Sequence, residues 1–103
     1  KNLMQSEKKL KFRLRYVSLN KSYLMEYDAS SSFESIISDA AGELNKSPSE
    51  IRCLINGDTV LNFLDSDGKY KTIDKVYLEG KGVGWRDGDE AELTIGYVVF
   101  GAS

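Results

Sequence analysis

One stretch of this chain has helical periodicity, and it lies between stretches in which the side chains alternate every second residue. In residues 33–44, apolar side chains recur at helical spacing and so share one side of an α-helix. This stripe consists of Phe33, Ile36, Ile37, Ala40, Ala41 and Leu44. Because an amphipathic helix must bury its apolar side against another element, the alternating segments are expected to form a sheet beneath it. The pattern therefore predicts an α+β fold.

Alternating segments before and after the helix supply that sheet. The strands predicted in this way cover residues 10–19, 23–27, 51–55, 58–61 and 91–100. Asn20-Lys21 links the first two strands as a hairpin, and the Asn56-Gly57 pair is a strong signal for a second hairpin turn. Residues 62–84 are less regular, and we expect a turn and one edge strand near residues 72–78 within them.

Polar residues mark the ends of the helical segments. Ser31 or Ser32 can cap the start of the main helix, and Asn45 is a suitable stop. Residues 47–50, Ser-Pro-Ser-Glu, have the composition of a capping box with proline at the first helical position. We expect a single helical turn there, immediately before the third strand.

The composition argues against catalysis. The chain has no histidine, which removes His-dependent triads, the commonest general base and the usual zinc sites. Cys53 alternates with Ile51 and Ile55, which predicts a buried thiol and not a nucleophile. The acidic segment 65–68 lacks the glutamate of a calcium loop, since Val76 stands at the required position. We therefore expect a protein that is not an enzyme and has no cofactor and no metal site.

Length and cysteine content bound the organisation of the chain. With 103 residues it matches one domain, and a single cysteine cannot form an intrachain disulfide. The longest apolar run, residues 97–100, is far shorter than the roughly 20 residues of a membrane-spanning helix. We expect a cytoplasmic protein without membrane contact. Residues 1–9 are predicted to be a flexible lead-in, and residues 10–103 a single domain with an insertion at about 62–84.

Two sequence motifs carry a resemblance to a known family. Residues 51–57, IRCLING, resemble the strand and turn of the small sulfur carriers, which include the molybdopterin-synthase small subunit and the thiamine sulfur carrier. Residues 86–93, RDGDEAEL, resemble the acidic turn into the last strand of those proteins. The resemblance covers roughly residues 10–95. It implies a ubiquitin-like β-grasp fold, with a mixed four- to five-stranded sheet, one main helix across it, and the first and last strands parallel at the centre.

The C-terminal tail departs from that family. Sulfur carriers end in Gly-Gly, whose carboxylate an activating enzyme adenylates before it becomes a thiocarboxylate. Here Gly101 is followed by Ala102 and Ser103, and Phe100 precedes it. Since a narrow enzyme channel favours a tail without side chains, carrier chemistry at Gly101 would first require trimming of the last two residues. A sulfur carrier or ubiquitin-like modifier is therefore the alternative prediction.

Basic residues of the first strand are candidates for partner binding. Lys11, Arg13 and Arg15 alternate with apolar residues and so share the wet face of that strand. Residues 1–27 hold seven basic and two acidic side chains, while the rest of the chain holds seven basic and fourteen acidic ones. The net charge of −2 therefore results from a basic N-terminal part and an acidic remainder that nearly cancel. The alternative is a solvated face on which Arg13 or Arg15 pairs across strands with Glu26 or Glu92.

The last strand contributes two further candidates. Val98 and Phe100 alternate with Leu93, Ile95, Tyr97 and Val99, which are predicted to face the helix. Val98 and Phe100 would then lie on the opposite face, where they can dock a partner. Alternatively, residues 62–84 fold over that face and bury both side chains.

These observations favour a non-catalytic, ubiquitin-like protein–protein interaction module or accessory protein over the carrier. A small supporting subunit of a multi-component enzyme is the third interpretation. The expected partner is a protein, either an activating enzyme or a larger assembly, and the mixed charge argues against nucleic acid. Head-to-tail self-association of the basic first strand with an acidic loop is a further candidate. The acidic residues available for it are Asp65, Asp67, Asp74, Asp87, Asp89 and Glu90.

Overall fold

Five strands and two α-helices make up residues 8–98, the part of the chain that the computed structural model describes. In chain order they are β1 (Lys9–Tyr16), β2 (Lys21–Asp28), α1 (Glu34–Leu44), β3 (Ile51–Ile55), β4 (Thr59–Val60), α2 (Ile73–Lys81) and β5 (Glu90–Tyr97). The sheet has the order β2-β1-β5-β3-β4. β1 and β5 pair in parallel at its centre, and the other pairs are antiparallel. The predicted α+β class and the central parallel pair are confirmed.

The core lies between α1 and one face of the sheet. Every inward residue of β1, β3 and β5 from Leu10 to Ile95 is buried, and so is the predicted stripe of α1. The helix ends follow the sequence signals. The Ser32 hydroxyl accepts a hydrogen bond from the Glu34 N–H (3.1 Å), and Asn45 closes the helix in the left-handed conformation with φ 56°. The apolar stripe thus determined both the extent and the orientation of α1.

Both predicted turns around β3 are present. Residues Pro48–Glu50 form a 3-10 turn, and the Glu50 carboxylate accepts a hydrogen bond from the Ser47 N–H at 3.0 Å. Asn56 and Gly57 adopt positive φ values of 59° and 84°. The β3–β4 loop nevertheless holds three residues, since Ile55 pairs with Thr59.

The segment between β4 and β5 differs from the prediction. Residues 73–81 form the helix α2, so the edge strand expected near residues 72–78 is wrong. Ile73, Val76 and Tyr77 are buried at helical spacing, and Gly82 ends the helix with φ 79°. Because the segment contains few apolar residues, the spacing of these three is a weak signal by itself.

α2 packs on the same side of the sheet as α1. The Trp85 ring lies 5.0 Å from the ring of Tyr77 and 5.9 Å from that of Phe12, measured between centroids. Phe63 stacks on Phe33 at 5.1 Å, at the start of α1. Residues 62–84 therefore extend the existing core, and the expectation that they fold over the opposite face of the sheet is wrong.

The ends of the sheet also differ slightly from expectation. β1 begins at Lys9, inside the predicted lead-in, and residues 1–7 lie outside the described part of the chain. β5 ends at Tyr97. Tyr97 was predicted to face the helix but is 38% exposed, because α1 ends at Leu44 and does not extend over it. Within residues 8–98 no helix has the length and apolar character needed to cross a membrane.

Candidate interaction surface

The face of the sheet opposite the two helices carries the basic residues that the sequence singled out. We call it the outer face, and it consists of the side chains that alternate with the buried ones. Its members on the inner strands and their neighbours are Ser22, Leu24, Glu26, Lys11, Arg13, Arg15, Glu90, Glu92, Thr94, Gly96, Arg52, Leu54 and Val60. No described element covers this face. Strand pairing decides which of its residues are neighbours.

At one end of the outer face, β1 is a basic strand between two acidic ones. Lys11 lies opposite Glu26 on β2 and opposite Glu90 on β5. The Arg13 Nε donates a hydrogen bond to the Glu90 Oε2 at 3.2 Å, and both side chains are 42% exposed. The predicted cross-strand ion pair of Arg13 thus exists, with Glu90 as its partner in place of Glu26 or Glu92. An exposed ion pair of this kind contributes about 0–1 kcal/mol to stability. On this half of the face, the basic side chains of β1 and the acidic side chains of the neighbouring strands neutralise each other.

At the other end the acidic residues are absent and apolar side chains take their place. Arg15 lies opposite Thr94, Thr94 opposite Leu54, and Leu54 opposite Val60. Val60 is 68% exposed and Leu54 half-buried. We call Arg15, Arg52, Leu54, Val60 and Thr94 the arginine-flanked patch. It combines an uncovered apolar centre with two guanidinium groups, the composition typical of protein interfaces.

The Arg52 side chain has a defined position in this patch. Its guanidinium donates hydrogen bonds to the carbonyl oxygens of Ser49 and Ile51, both at 2.9 Å. These bonds anchor the group beside the start of β3, while the residue itself stays exposed. Less side-chain entropy is then lost when a partner contacts it.

The described structure reaches only part of the predicted tail site. Val98 is half-buried, and its N–H donates a hydrogen bond to the Glu50 carbonyl at 2.9 Å. Phe100 and Gly101 lie outside the described residues, so their predicted docking and carrier roles stay predictions. The exposed ring of Tyr97 is covered on one face by the Lys46 ammonium, 4.4 Å from its centroid.

The acidic segments proposed for head-to-tail association have local roles. The Asp65 carboxylate accepts hydrogen bonds from the N–H groups of Asp67 and Lys69, both at 2.9 Å, and so stabilises its own turn. Asp89 likewise accepts from the Arg86 N–H at 2.9 Å in the turn before β5. Among the residues that the structure describes, no group of three or more His, Cys, Asp or Glu side chains could hold a metal ion.

Cys53 lies in the core, as predicted from its alternation with Ile51 and Ile55. It is 1% exposed, and burial raises the pKa of its thiol to about 12. A thiol with so high a pKa is protonated at neutral pH and cannot act as a nucleophile or a thiolate ligand.

Sequence reasoning found Arg15 but missed the rest of the patch. A signal for Leu54 was available, since the alternation that buries Cys53 and Ile55 assigns Leu54 to the wet face. An apolar residue at an outward position of a strand indicates a binding surface as well as a run of charged residues does. The Asn56-Gly57 signal placed the strand of Val60 beside β3, but it did not predict the three-residue loop whose register sets Val60 opposite Leu54.

Comparisons with solved structures identify the architecture. The solution NMR structure of the ubiquitin-like domain of the Arabidopsis thaliana protein At2g32350 matches with a TM-score of 0.57 and 13% identity, over 92% of this chain and 83% of that one. The fold is ubiquitin-like. A second structure of that Arabidopsis protein, from evolutionary couplings and sparse NMR data, gives 0.56 and 12% identity over 89% of each chain.

A further ubiquitin-like match comes from a protein complex. A chain in the crystal structure of the pParkin–pUb–UbcH7 complex matches with a TM-score of 0.55 and 11% identity, over 87% of this chain and 23% of that chain. The present chain thus spans less than a quarter of that longer one. No family model matches the sequence, and no curated protein matches it. At these identities the ubiquitin-like likeness concerns the fold.

Proposed function

We propose that this ubiquitin-like chain is a non-catalytic protein–protein interaction module whose partner binds the arginine-flanked patch. The observation that carries the proposal is the open outer face of the sheet beside β3. There Leu54 and the 68% exposed Val60 lie outside the core, with Arg52 on the same strand as Leu54 and Arg15 on the other side of Thr94. A fold that leaves such a patch uncovered retains apolar surface for another molecule to bury.

The patch suits a partner better than the charged half of the face does. On the charged half, a partner would have to desolvate Arg13 and Glu90, which already satisfy each other. In the patch, Arg15 forms no ion pair within the described chain. We therefore expect a partner segment with an apolar side chain at its centre and carboxylates at its margins, since complementary charge confers specificity at an interface rim.

Two further observations support a binding role. One chain of similar fold occurs in the crystal structure of a complex of pParkin, pUb and UbcH7. In addition, the single cysteine is buried and its pKa is raised, so the described part of the chain offers no activated thiol. Both fit a module that binds and does not catalyse.

Affinity capture with chemical cross-linking tests the proposal. The tagged protein, its Leu54→Glu variant and its Arg15→Glu variant are incubated with lysate of the source cells, and bound proteins are quantified by mass spectrometry. We expect each variant to lose about tenfold in capture of a shared partner, equivalent to about 1.4 kcal/mol. Leu78→Glu is the matched control, because Leu78 is 49% exposed on α2 and distant from the outer face.

The result can contradict the proposal in two ways. Equal capture by the Leu54→Glu and Leu78→Glu variants would remove the patch from the binding site. Absence of any protein enriched on the wild-type chain would remove the interaction role. Circular dichroism of all variants verifies that the fold is retained.

The carrier or modifier function rests on the sequence resemblance at residues 51–57 and 86–93 and on Gly101. Intact-mass analysis of the natively expressed protein tests it. A chain that ends at Gly101, or that carries a thiocarboxylate there, would favour activation of the tail. An unmodified chain that continues through Ser103 would contradict it. The role of supporting subunit would instead appear as stoichiometric co-purification with an enzyme.

A further inference from the structure

We infer that the chain forms a two-fold symmetric dimer in which β2 pairs with β2 of a second copy. Within residues 8–98, β2 is the terminal strand on the β1 side of the sheet. It is eight residues long, and its side chains from Lys21 to Leu24 are all exposed. A long terminal strand with apolar side chains is a template for pairing with another strand.

The backbone groups at the free side of β2 follow from the hairpin register. The Ala29 N–H donates to the Lys8 carbonyl at 2.9 Å, one position beyond the Lys9–Asp28 pair. Hydrogen-bonded and non-bonded pairs alternate along an antiparallel ladder. The odd-numbered residues of β2 therefore bond to β1. The N–H and C=O groups of Ser22, Leu24 and Glu26 point away from it, towards the open side.

The side chains of β2 are complementary to themselves in one register. A two-fold axis requires antiparallel pairing of identical strands, and centring it on Leu24 keeps the even-numbered residues hydrogen-bonded. This register pairs Leu24 with Leu24 of the second copy and Tyr23 with Met25. Leu24 is 50% exposed and Tyr23 38% exposed, so both bury apolar surface in the dimer. A shift by two residues would instead place Leu24 opposite Glu26 or Ser22.

The same register creates a charge contact at each end. Lys21 lies directly opposite Tyr27 of the second copy, and the Tyr27 hydroxyl donates a hydrogen bond to Asp39 at 2.6 Å. A lysine side chain is about as long as a tyrosine ring with its hydroxyl, and directly opposed side chains are about 5 Å apart. The Lys21 ammonium therefore reaches the Asp39 carboxylate of the second copy. Symmetry provides this contact twice.

The other end of the sheet offers no comparable template. β4 has only two residues, and its ladder with β3 extends by just one further hydrogen bond, from the Leu61 N–H to the Cys53 carbonyl at 3.0 Å. The dimer would join the two sheets edge to edge through the backbone of β2 and leave both arginine-flanked patches open, because these lie on the outer face, on β1, β5, β3 and β4. The inference is thus independent of the proposed binding function.

Sedimentation velocity over a concentration series up to roughly 1 mM, the range of weak interfaces, tests the dimer. We expect the mass to rise from 11.5 kDa towards twice that value. Leu24→Lys places two ammonium groups against each other at the axis, so the dissociation constant should rise about tenfold or more. Leu78→Lys is the matched control: it introduces the same charge on α2, outside both β2 and the patch, and should leave dimerisation as in the wild-type chain.

A second variant and a second measurement keep the test decisive. Leu24→Pro removes an N–H that points to the open side, which a terminal strand tolerates, and should also prevent dimerisation. Amide hydrogen exchange of the wild-type chain should show protection of Ser22, Leu24 and Glu26 that increases with concentration. Variants that lose the folded near-ultraviolet spectrum are excluded before the masses are compared.

Three results would overturn the inference. The first is a monomer at every concentration. The free side of β2 would then be available for pairing with a strand from a different protein. The second is a dimer equally sensitive to Leu24→Lys and Leu78→Lys. The third is a dimer that Arg15→Glu abolishes and Leu24→Lys does not, since that pattern belongs to head-to-tail association through the basic strand.

Discussion

A thiol and tyrosine hydroxyls buried in the core make the free energy of unfolding of this protein depend on pH. Cys53 on β3 and Tyr16 on β1 both face α1, and burial raises the pKa of each to about 12. For Tyr16 the carboxylates of Glu43 and Asp39 contribute to this pKa of about 12, after burial. Burial also raises the pKa of Tyr27, as does its hydrogen bond to Asp39. All three side chains are therefore neutral in the folded protein at physiological pH.

The free energy of unfolding should accordingly decrease with rising pH, beginning near the ordinary thiol pKa of 9.0 and continuing to about 12. Below that range Cys53 is protonated in both states. Within it, the unfolded chain loses the thiol proton while the folded chain retains it, so the unfolded state is favoured. Denaturant titrations from about pH 8 to about pH 11 measure the slope.

One substitution distinguishes the contribution of the Cys53 thiol to this pH dependence from the contribution of the tyrosines. Cys53→Val keeps an apolar side chain of similar volume and removes the titrating group, so the slope should become shallower. The residual slope belongs to the tyrosines whose pKa values are also raised, which are Tyr16, Tyr23, Tyr27, Tyr70 and Tyr77. An identical pH dependence in the wild-type chain and in Cys53→Val would show that the thiol does not contribute.

The two helices respond differently to the same substitution. At Gly80 in α2, an added Cβ would lie 2.5 Å from the Leu61 Cδ2 and 3.1 Å from the Ile55 Cγ2. At Gly42 in α1 it would meet nothing within 4 Å. Gly80→Ala should therefore lower the free energy of unfolding by about 1–3 kcal/mol through overpacking. Gly42→Ala should raise it by about 0.5–1 kcal/mol, because alanine is the better helix former.

Chemical denaturation of both variants measures the two changes in the free energy of unfolding, which should have opposite signs. Leu61→Val in the Gly80→Ala background removes the end of the side chain that the new methyl group meets. Part of the lost stability should then return, relative to Leu61→Val alone. If both alanine variants were stabilised, α2 would not approach the sheet as closely as the structure shows.

The contrast between the helices also explains where sequence-based prediction succeeded. α1 was predicted because its stripe has six apolar residues at helical spacing and because Ser32 and Asn45 mark its ends. α2 buries only Ile73, Val76 and Tyr77, and Leu78 beside them is 49% exposed. Three apolar residues in nine positions do not distinguish a helix from a strand by periodicity alone. Contact of the Tyr77 ring with Phe12, which is distant in sequence, and with Trp85 distinguishes the two.

At the scale of the whole molecule, the surface proposed for partner binding and the strand proposed for dimerisation lie in one sheet. The dimer through β2 would place the two outer faces on the same side of one continuous sheet, since the axis is perpendicular to it. A partner with two binding segments, or one attached densely to a surface, would then contact both arginine-flanked patches. Such bivalent binding exceeds the affinity of one patch by effective concentration alone.

This arrangement predicts a coupling between assembly and binding. On a surface densely coated with the captured partner, Leu24→Lys should dissociate about tenfold faster than the wild-type chain. On a sparsely coated surface the two should be equal, because only one patch is engaged. Surface plasmon resonance at the two densities measures the difference. A loss that persists at low density would mean that Leu24 contacts the partner directly.

Local periodicity by itself determined most of the elements of this protein. It determined the strands β1, β3 and β5, the helix α1 with its ends, and the inward position of Cys53, because each depends on residues a few positions apart. Only the tertiary structure decided that α2 extends the same core and leaves the outer face open. It alone brought Arg15, Thr94, Leu54 and Val60 into one row across the sheet, and within residues 8–98 it left β2 without a neighbour on one side. These features depend on the order β2-β1-β5-β3-β4, which is set by pairing between distant segments.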